Sequence, residues 1–223
     1  MQSLIAFGNK VEGRDKVMKF LQYSARFLRT AVKDKDTLAR LNGLFSAAGD
    51  ARKMFRLAKS LNEFETISKL LNNPGLDTVA TILQLLARSS FFIYWIFDNL
   101  TILSKIKVLK FDAKTWSRPG MTCWFIGILF SLLLLIRNLL GSFAQESALR
   151  SYAKTPETNE KIDKLLAARK VMCLNILKNL GDLMPAATGS EIPQRLIGRG
   201  FPERWCGFGG MLSSAISVYQ TWQ

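Results

Sequence analysis

The stretch "MTCWFIGILFSLLLLI", residues 121–136, carries no charged side chain. Sixteen residues in a helix rise about 24 Å. With Asn138 to Leu140 added and Arg137 snorkelling, the run reaches about 30 Å, the thickness of a bilayer's hydrocarbon core. A buried core helix is the competing reading of this stretch alone.

Two further segments extend the choice toward membrane. Residues 79–103, "VATILQLLARSSFFIYWIFDNLTIL", are apolar but hold Arg88 and Asp98. Either charge is costly in lipid unless paired or turned toward protein, as is Arg137 beyond the central run. They mark a pathway or a buried pair. Residues 205–222, "WCGFGGMLSSAISVYQTW", begin and end on Trp205 and Trp222. The steps between them make about 26 Å, the spacing of two interfacial aromatic belts. Spanning segments are therefore expected near 79–103, 119–140 and 205–222.

The chain reads as all-α throughout. Turn punctuation is sparse, and no alternating strand pattern appears. The expected helices are 13–33, 36–60, 77–103, 119–152, 157–181 and 205–222. Expected breaks fall at "NNPG" (72–75), "SRPG" (117–120), "KTPE" (154–157) and the connector 181–203. This divides the chain into amphipathic surface helices over 1–75 and a membrane-embedded helical region over 76–223.

Composition narrows the function. The 223 residues hold 31 Lys and Arg against 17 Asp and Glu, a formal charge of +14. Such an excess favours anionic partners. The chain has no histidine, which removes the commonest general base, the His-containing triads and His-based zinc sites. Cys123, Cys173 and Cys206 are far apart, each in an apolar context, and read as buried free thiols of a reducing compartment. With no phosphate loop and no metal-ligand cluster, no reaction centre assembles. The expectation is a non-enzyme with no cofactor and no metal. The start "MQSLIAFGNK" lacks the apolar core of a secretory signal.

The basic excess concentrates in "GRDKVMKFLQYSARFLRTAVK", residues 13–33. At 100° per residue one arc gathers Val17, Phe20, Leu21, Phe27 and Leu28. The opposite arc gathers Lys16, Lys19, Arg26, Arg29 and Lys33, with no acid from Lys16 onward. A water-facing helix usually mixes charge signs, since i,i+4 pairs give a few tenths of a kcal/mol each. A uniformly basic face forgoes those pairs and fits an environment that supplies anions, such as lipid head groups. A core helix with a solvated basic face is the alternative. Arg52, Arg56 and Lys59 repeat at i, i+4 and i+7 and could likewise cradle phosphates.

In the last segment small residues form two ridges, Cys206–Gly210–Ser214 and Gly209–Ser213–Ser217. Small-xxx-small spacing lets helix backbones approach closely. It marks a helix–helix seam, within one chain or between copies.

Four blocks carry a family resemblance: "GRDK" (13–16), "FLQYSARFL" (20–28), "ARKMFRLAK" (51–59) and "GFGGMLSSAISVYQTW" (207–222). Together, in this order, the chain resembles the peroxin 11 family of peroxisomal membrane proteins. Ala58 departs from the pattern, where the family has glycine. The resemblance implies a protein of the peroxisomal or glycosomal membrane with both termini in the cytosol. Relatives elongate and tubulate that membrane before fission, form homo-oligomers, and work with a dynamin-type fission GTPase and its membrane adaptor. Some are thought to pass small metabolites. The family's insertion helix maps onto residues 13–33.

Two functions follow as expectations: membrane shaping through the basic helix on anionic phospholipid, and a pore for small metabolites. A soluble nucleic-acid-binding bundle fits the charge, but no binding motif is present.

Overall fold

The computed structural model describes residues 2–151 and 155–222. Among the described residues the chain forms helices and no strand. They are α1 (Gln2–Asn9), α2 (Val11–Leu28), α3 (Lys35–Phe55), α4 (Lys59–Asn72), α5 (Thr78–Lys105), α6 (Ala113–Ser151), α7 (Pro156–Ser190), α8 (Ile192–Ile197) and α9 (Glu203–Trp222).

Local chemistry sets several starts. Asp34 accepts from the Thr37 N–H at 2.8 Å, and Asp77 from the Ala80 N–H at 3.0 Å. Thr155 accepts from the Thr158 N–H with Pro156 in the first turn. Each side chain satisfies an amide that the helix itself leaves unpaired.

The elements near 77–103, 119–152 and 205–222 are α5, α6 and α9. Four expected boundaries move, and the first is the end of the 13–33 helix, which stops at Leu28. "SRPG" does not break the chain: α6 begins at Ala113 and carries Pro119 within it. The connector 181–203 is mostly helical, because α7 runs past Gly181 and through the buried Pro185 to Ser190, and α8 follows. Gly181 stops nothing here; it is the point where α7 touches α9. The expected 36–60 helix ends early as α3 at Phe55, and a separate α4 begins at Lys59 after a turn at Arg56–Ala58, where Ala58 takes φ 61°, ψ 10°. Helices α1 and α4 had no strong sequence signal.

Packing closes a ring. α2 lies on α9, α9 on α7, α7 on α6, α6 on α5, and α5 on α3 and α4, while α3 returns to α2. The apolar core is small: Ile128, Leu132 and Ala186, with Phe91, Trp124 and Leu183 against it. Beside that core the ring also encloses charge. Arg52, Arg56, Asp15, Lys19, Glu63 and Asp98 are buried. Outside, α6 exposes Leu129, Leu133, Ile136, Leu140 and Phe143, and α5 exposes Val79, Ile82, Leu86, Ile93 and Ile96. These positions recur at helical spacing, so each helix turns one apolar stripe outward.

Helices α5 and α6 are long and apolar enough to cross a membrane, and only 11% and 17% of their most apolar stretches are buried in the protein. A core helix of a water-soluble protein would be mostly covered. α9 is not apolar enough to join them by the same measure. It is enclosed by α2 and α7 along its small-residue side.

Candidate functional site

The inward face of α2 organises the interior. Its helical period places Asp15, Lys19, Gln22, Tyr23 and Arg26 toward the neighbouring helices, and Val17, Phe20 and Leu28 outward. Leu21 is half-buried. Phe27 is half-buried too, with its ring 6.3 Å from that of Phe208. The apolar arc read from the sequence is therefore the outer edge of α2, while the basic arc is turned into the protein.

Three residues of that arc, Lys19, Arg26 and Arg29, meet carboxylates from distant parts of the chain. Lys19 Nζ lies 2.8 Å from both oxygens of Asp182 on α7, and donates to Ser213 Oγ on α9 at 2.8 Å. Arg26 forms two hydrogen bonds to Glu203, at 2.9 and 2.8 Å, and Arg29 adds a third at 2.7 Å. Lys16 sits 3.3 Å from Glu12 and 3.6 Å from Asp15. Lys33 is exposed beyond the end of α2.

The stripe on α3 and α4 divides. Arg52 bonds to Asp15 at 3.3 Å and to Gln22 at 2.6 Å. Arg56 reaches Asp98 on α5 at 2.9 Å and lies 3.8 Å from Asp15. Lys59 has no carboxylate within 4 Å among the described residues; its Nζ lies over the Trp95 ring, 4.9 Å from the centroid. Burial works against the charged form of Asp15, yet Arg52 and Arg56 hold its carboxyl below the usual value. Burial pulls the Lys19 amine down to about 8, with Asp182 opposing. The hydrogen bond from Arg26, followed by that from Arg29, draws Glu203 down to about 2 against partial burial.

Arg88, Asp98 and Arg137 do not pair with one another. Arg88 lies 3.3 Å from Glu63 on α4, Asp98 holds Arg56, and Arg137 at the surface holds Asp77.

The small ridges of α9 are used within the chain. Cys206, Gly209, Gly210, Ser213, Ser214 and Ser217 are all buried; of the other two cysteines expected inside, Cys123 is half-buried and Cys173 is exposed. A Cβ on Gly209 would stand 2.6 Å from the Gly181 carbonyl oxygen, and one on Gly210 would stand 2.2 Å from the Tyr23 ring. Only glycine admits a backbone or a ring this close.

Inside the ring lies a polar cleft of about 670 Å³. Eight bases and four carboxylates line it, an excess of four positive charges. The carboxylates are Glu12, Asp15, Glu63 and Asp182; Tyr94, Trp95 and Trp124 form part of the wall. Sequence reasoning missed the interior roles of Asp15, Asp182 and Lys178 and the surface clamp that Glu203 forms on Arg26 and Arg29. A signal existed for one of them: Asp182 is the only acid between residues 164 and 190.

A family model described as Peroxisomal biogenesis factor 11 (PEX11) matches residues 1–222. Peroxisomal membrane protein 11 homolog of Dictyostelium discoideum is 27% identical over all of this chain and 94% of its own length. Peroxisomal membrane protein PMP30B of Candida boidinii is 25% identical over 98% of this chain and 93% of its own. Peroxisomal membrane protein PMP27 of Saccharomyces cerevisiae is 30% identical over 77% of this chain and 79% of its own. No solved structure matches.

Proposed function

The chain belongs to the peroxisomal biogenesis factor 11 family, and we propose that it is a peroxisomal membrane protein that elongates and shapes the membrane holding it. The supporting observation is the polarity of the helix ring: six charged side chains are buried inside it, and α5 and α6 turn apolar stripes outward. In water the exposed stripes would be a large aggregation liability. In lipid they are the expected surface.

The outer edge of α2 supplies the shaping element. Val17, Phe20 and Leu28 project from a helix that is not one of the two long apolar candidates for crossing. Burying three such side chains in a leaflet is worth about 1.5–3 kcal/mol each. An edge inserted into one leaflet expands that leaflet against the other and so favours curvature. Self-association of copies, and recruitment of the fission GTPase and its adaptor, would then act on the elongated membrane.

The test uses the full chain in vesicles of phosphatidylcholine and phosphatidylserine. Electron microscopy is expected to show tubules with the native protein and round vesicles with the Phe20→Glu, Leu28→Glu variant. Retention of the variant after alkaline carbonate extraction shows that it is still embedded. Equal tubulation by both proteins would remove α2 from the mechanism.

A second reading has its own observation. The cationic cleft inside an apolar ring is the interior expected of a route for small anions. Chloride release from loaded vesicles, reduced by Arg88→Gln, is its measurement.

A further inference from the structure

The cleft has a charge problem that the protein does not solve by itself. Four of its bases are neutralised at close range: Lys19 by Asp182, Arg52 by Asp15, Arg56 by Asp98 and Arg88 by Glu63. Lys16 shares Asp15 with the two arginines and holds the exposed Glu12. Lys10, Lys59 and Lys178 have no carboxylate within 4 Å among the described residues. Lys178 donates only to the neutral Gln220, at 3.1 Å.

These amines are not free surface groups. Lys59 and Lys178 are partly covered. Burial depresses the Lys59 amine, with Lys16 adding repulsion, and burial likewise depresses that of Lys178. Uncompensated ammonium groups in a half-dry cleft are expensive unless an anion joins them. Lysines act as compact point charges, as at many phosphate sites.

We propose that the cleft binds a phosphate-bearing anion, with Lys59 from α4, Lys178 from α7 and Lys16 from α2 on the phosphate oxygens. The exposed Lys10 steers it in. Tyr94, Trp95 and Trp124 give the remainder of the ligand an aromatic wall. The volume falls within the range of small-molecule sites. A lipid head group and a soluble phosphate compound share this chemistry. The site is independent of shaping and does not require that anything pass through.

The test places the full chain in phosphatidylcholine nanodiscs and titrates inorganic pyrophosphate by calorimetry. Binding is expected, weakened at least tenfold in Lys59→Gln, Lys178→Gln and unchanged in Lys161→Gln, Lys164→Gln on the exposed part of α7. A second measurement needs no variant. Pyrophosphate should slow acetylation of Lys59 and Lys178 in the native protein, read by peptide mass spectrometry, with Lys161 unaffected. Nanodiscs containing phosphatidylinositol 4-phosphate separate the sources. Protection there without added pyrophosphate assigns a head group; protection by pyrophosphate alone assigns a soluble ligand. Absence of protection by both probes overturns the site, as does binding that the two variants weaken equally. Chloride release judges conduction separately: a Lys59→Gln, Lys178→Gln protein that loses pyrophosphate but still passes chloride leaves the site standing without coupling it to passage.

Discussion

Lys19 and Asp182 stand 163 positions apart in sequence and 2.8 Å apart in space, both largely covered by protein. The pair joins α2 to α7, and Ser213 extends it to α9. Removing one partner from a buried pair strands the other, at about 3–5 kcal/mol. Asp182→Asn should lower the midpoint of thermal unfolding in detergent by many degrees, and Lys19→Met, Asp182→Leu should recover most of it. The native pair also sets a pH dependence. Lys19 titrates near 8 in the fold and near 10.5 when unfolded. Between those values the unfolded chain binds the extra proton, so stability rises with pH across that window, by up to about 3 kcal/mol. Below pH 8 this contribution is absent. Lys19→Met should flatten that part of the curve; an unchanged slope would place the effect on another group.

The outward half of α2 was legible in the sequence and the inward half was not. Val17, Phe20 and Leu28 follow from a helical period alone, because an apolar arc is a local property. The basic arc looked unneutralised because its partners, Asp182 and Glu203, lie more than 160 positions away. Helical periodicity says which residues share a face and nothing about what the face meets. The same limit explains the connector 181–203. Gly181 and Pro185 are stop signals in an isolated helix, but in the ring Gly181 is the close crossing with Gly209 and Pro185 is buried. Tertiary contact overrides the local preference. α5 and α6 were legible because hydropathy over a long window needs no partner.

The Gly181–Gly209 crossing gives a steric prediction. A methyl group on Gly181 would lie 2.4 Å from the Gly209 carbonyl oxygen, and that oxygen is backbone, which cannot swing aside. Gly209→Ala and Gly181→Ala should each destabilise by about 1–3 kcal/mol or more, as overpacking does. Gly43, within α3, is open: a methyl group there would meet nothing within 4 Å. Gly43→Ala should stabilise by about 0.5–1 kcal/mol through helix propensity. Thermal melts of the three variants, read together, check the sign in both directions.

Glu203 is the clamp between α2 and α9, holding Arg26 and Arg29 together. Its carboxyl titrates near 2 in the fold instead of near 4.5. A depressed carboxylate stabilises the fold above the unfolded value and loses that contribution as pH falls from about 4.5 to about 2. Hydrogen exchange of the amides over residues 20–28, corrected for the intrinsic pH effect, should accelerate across this window in the native protein. Glu203→Gln should exchange faster at pH 6 and show no such acceleration. The side chain is about half exposed, so added salt should narrow the difference.

The Arg56–Ala58 turn yields the last prediction. Ala58 holds a left-handed backbone, φ 61°, between α3 and α4. An L-residue with a Cβ is disfavoured there by about 1–2 kcal/mol, and glycine is not. The turn persists because its neighbours fix it. Arg56 is held by Asp15 and Asp98, and its Nε also donates to the Arg52 carbonyl at 3.0 Å. The Asn99 amide, with its oxygen toward the Ala58 N–H at 3.2 Å and its nitrogen toward the Arg56 carbonyl at 3.3 Å, ties the turn to α5. Ala58→Gly should therefore stabilise the protein by about 0.5–1 kcal/mol, after the extra freedom of glycine in the unfolded chain is counted. Ala58→Val should do the opposite, because a branched Cβ is worse still at positive φ. If Ala58→Gly instead lowers the melting midpoint, the two helices run on as one through this point, and Lys59 no longer faces the cleft beside Trp95.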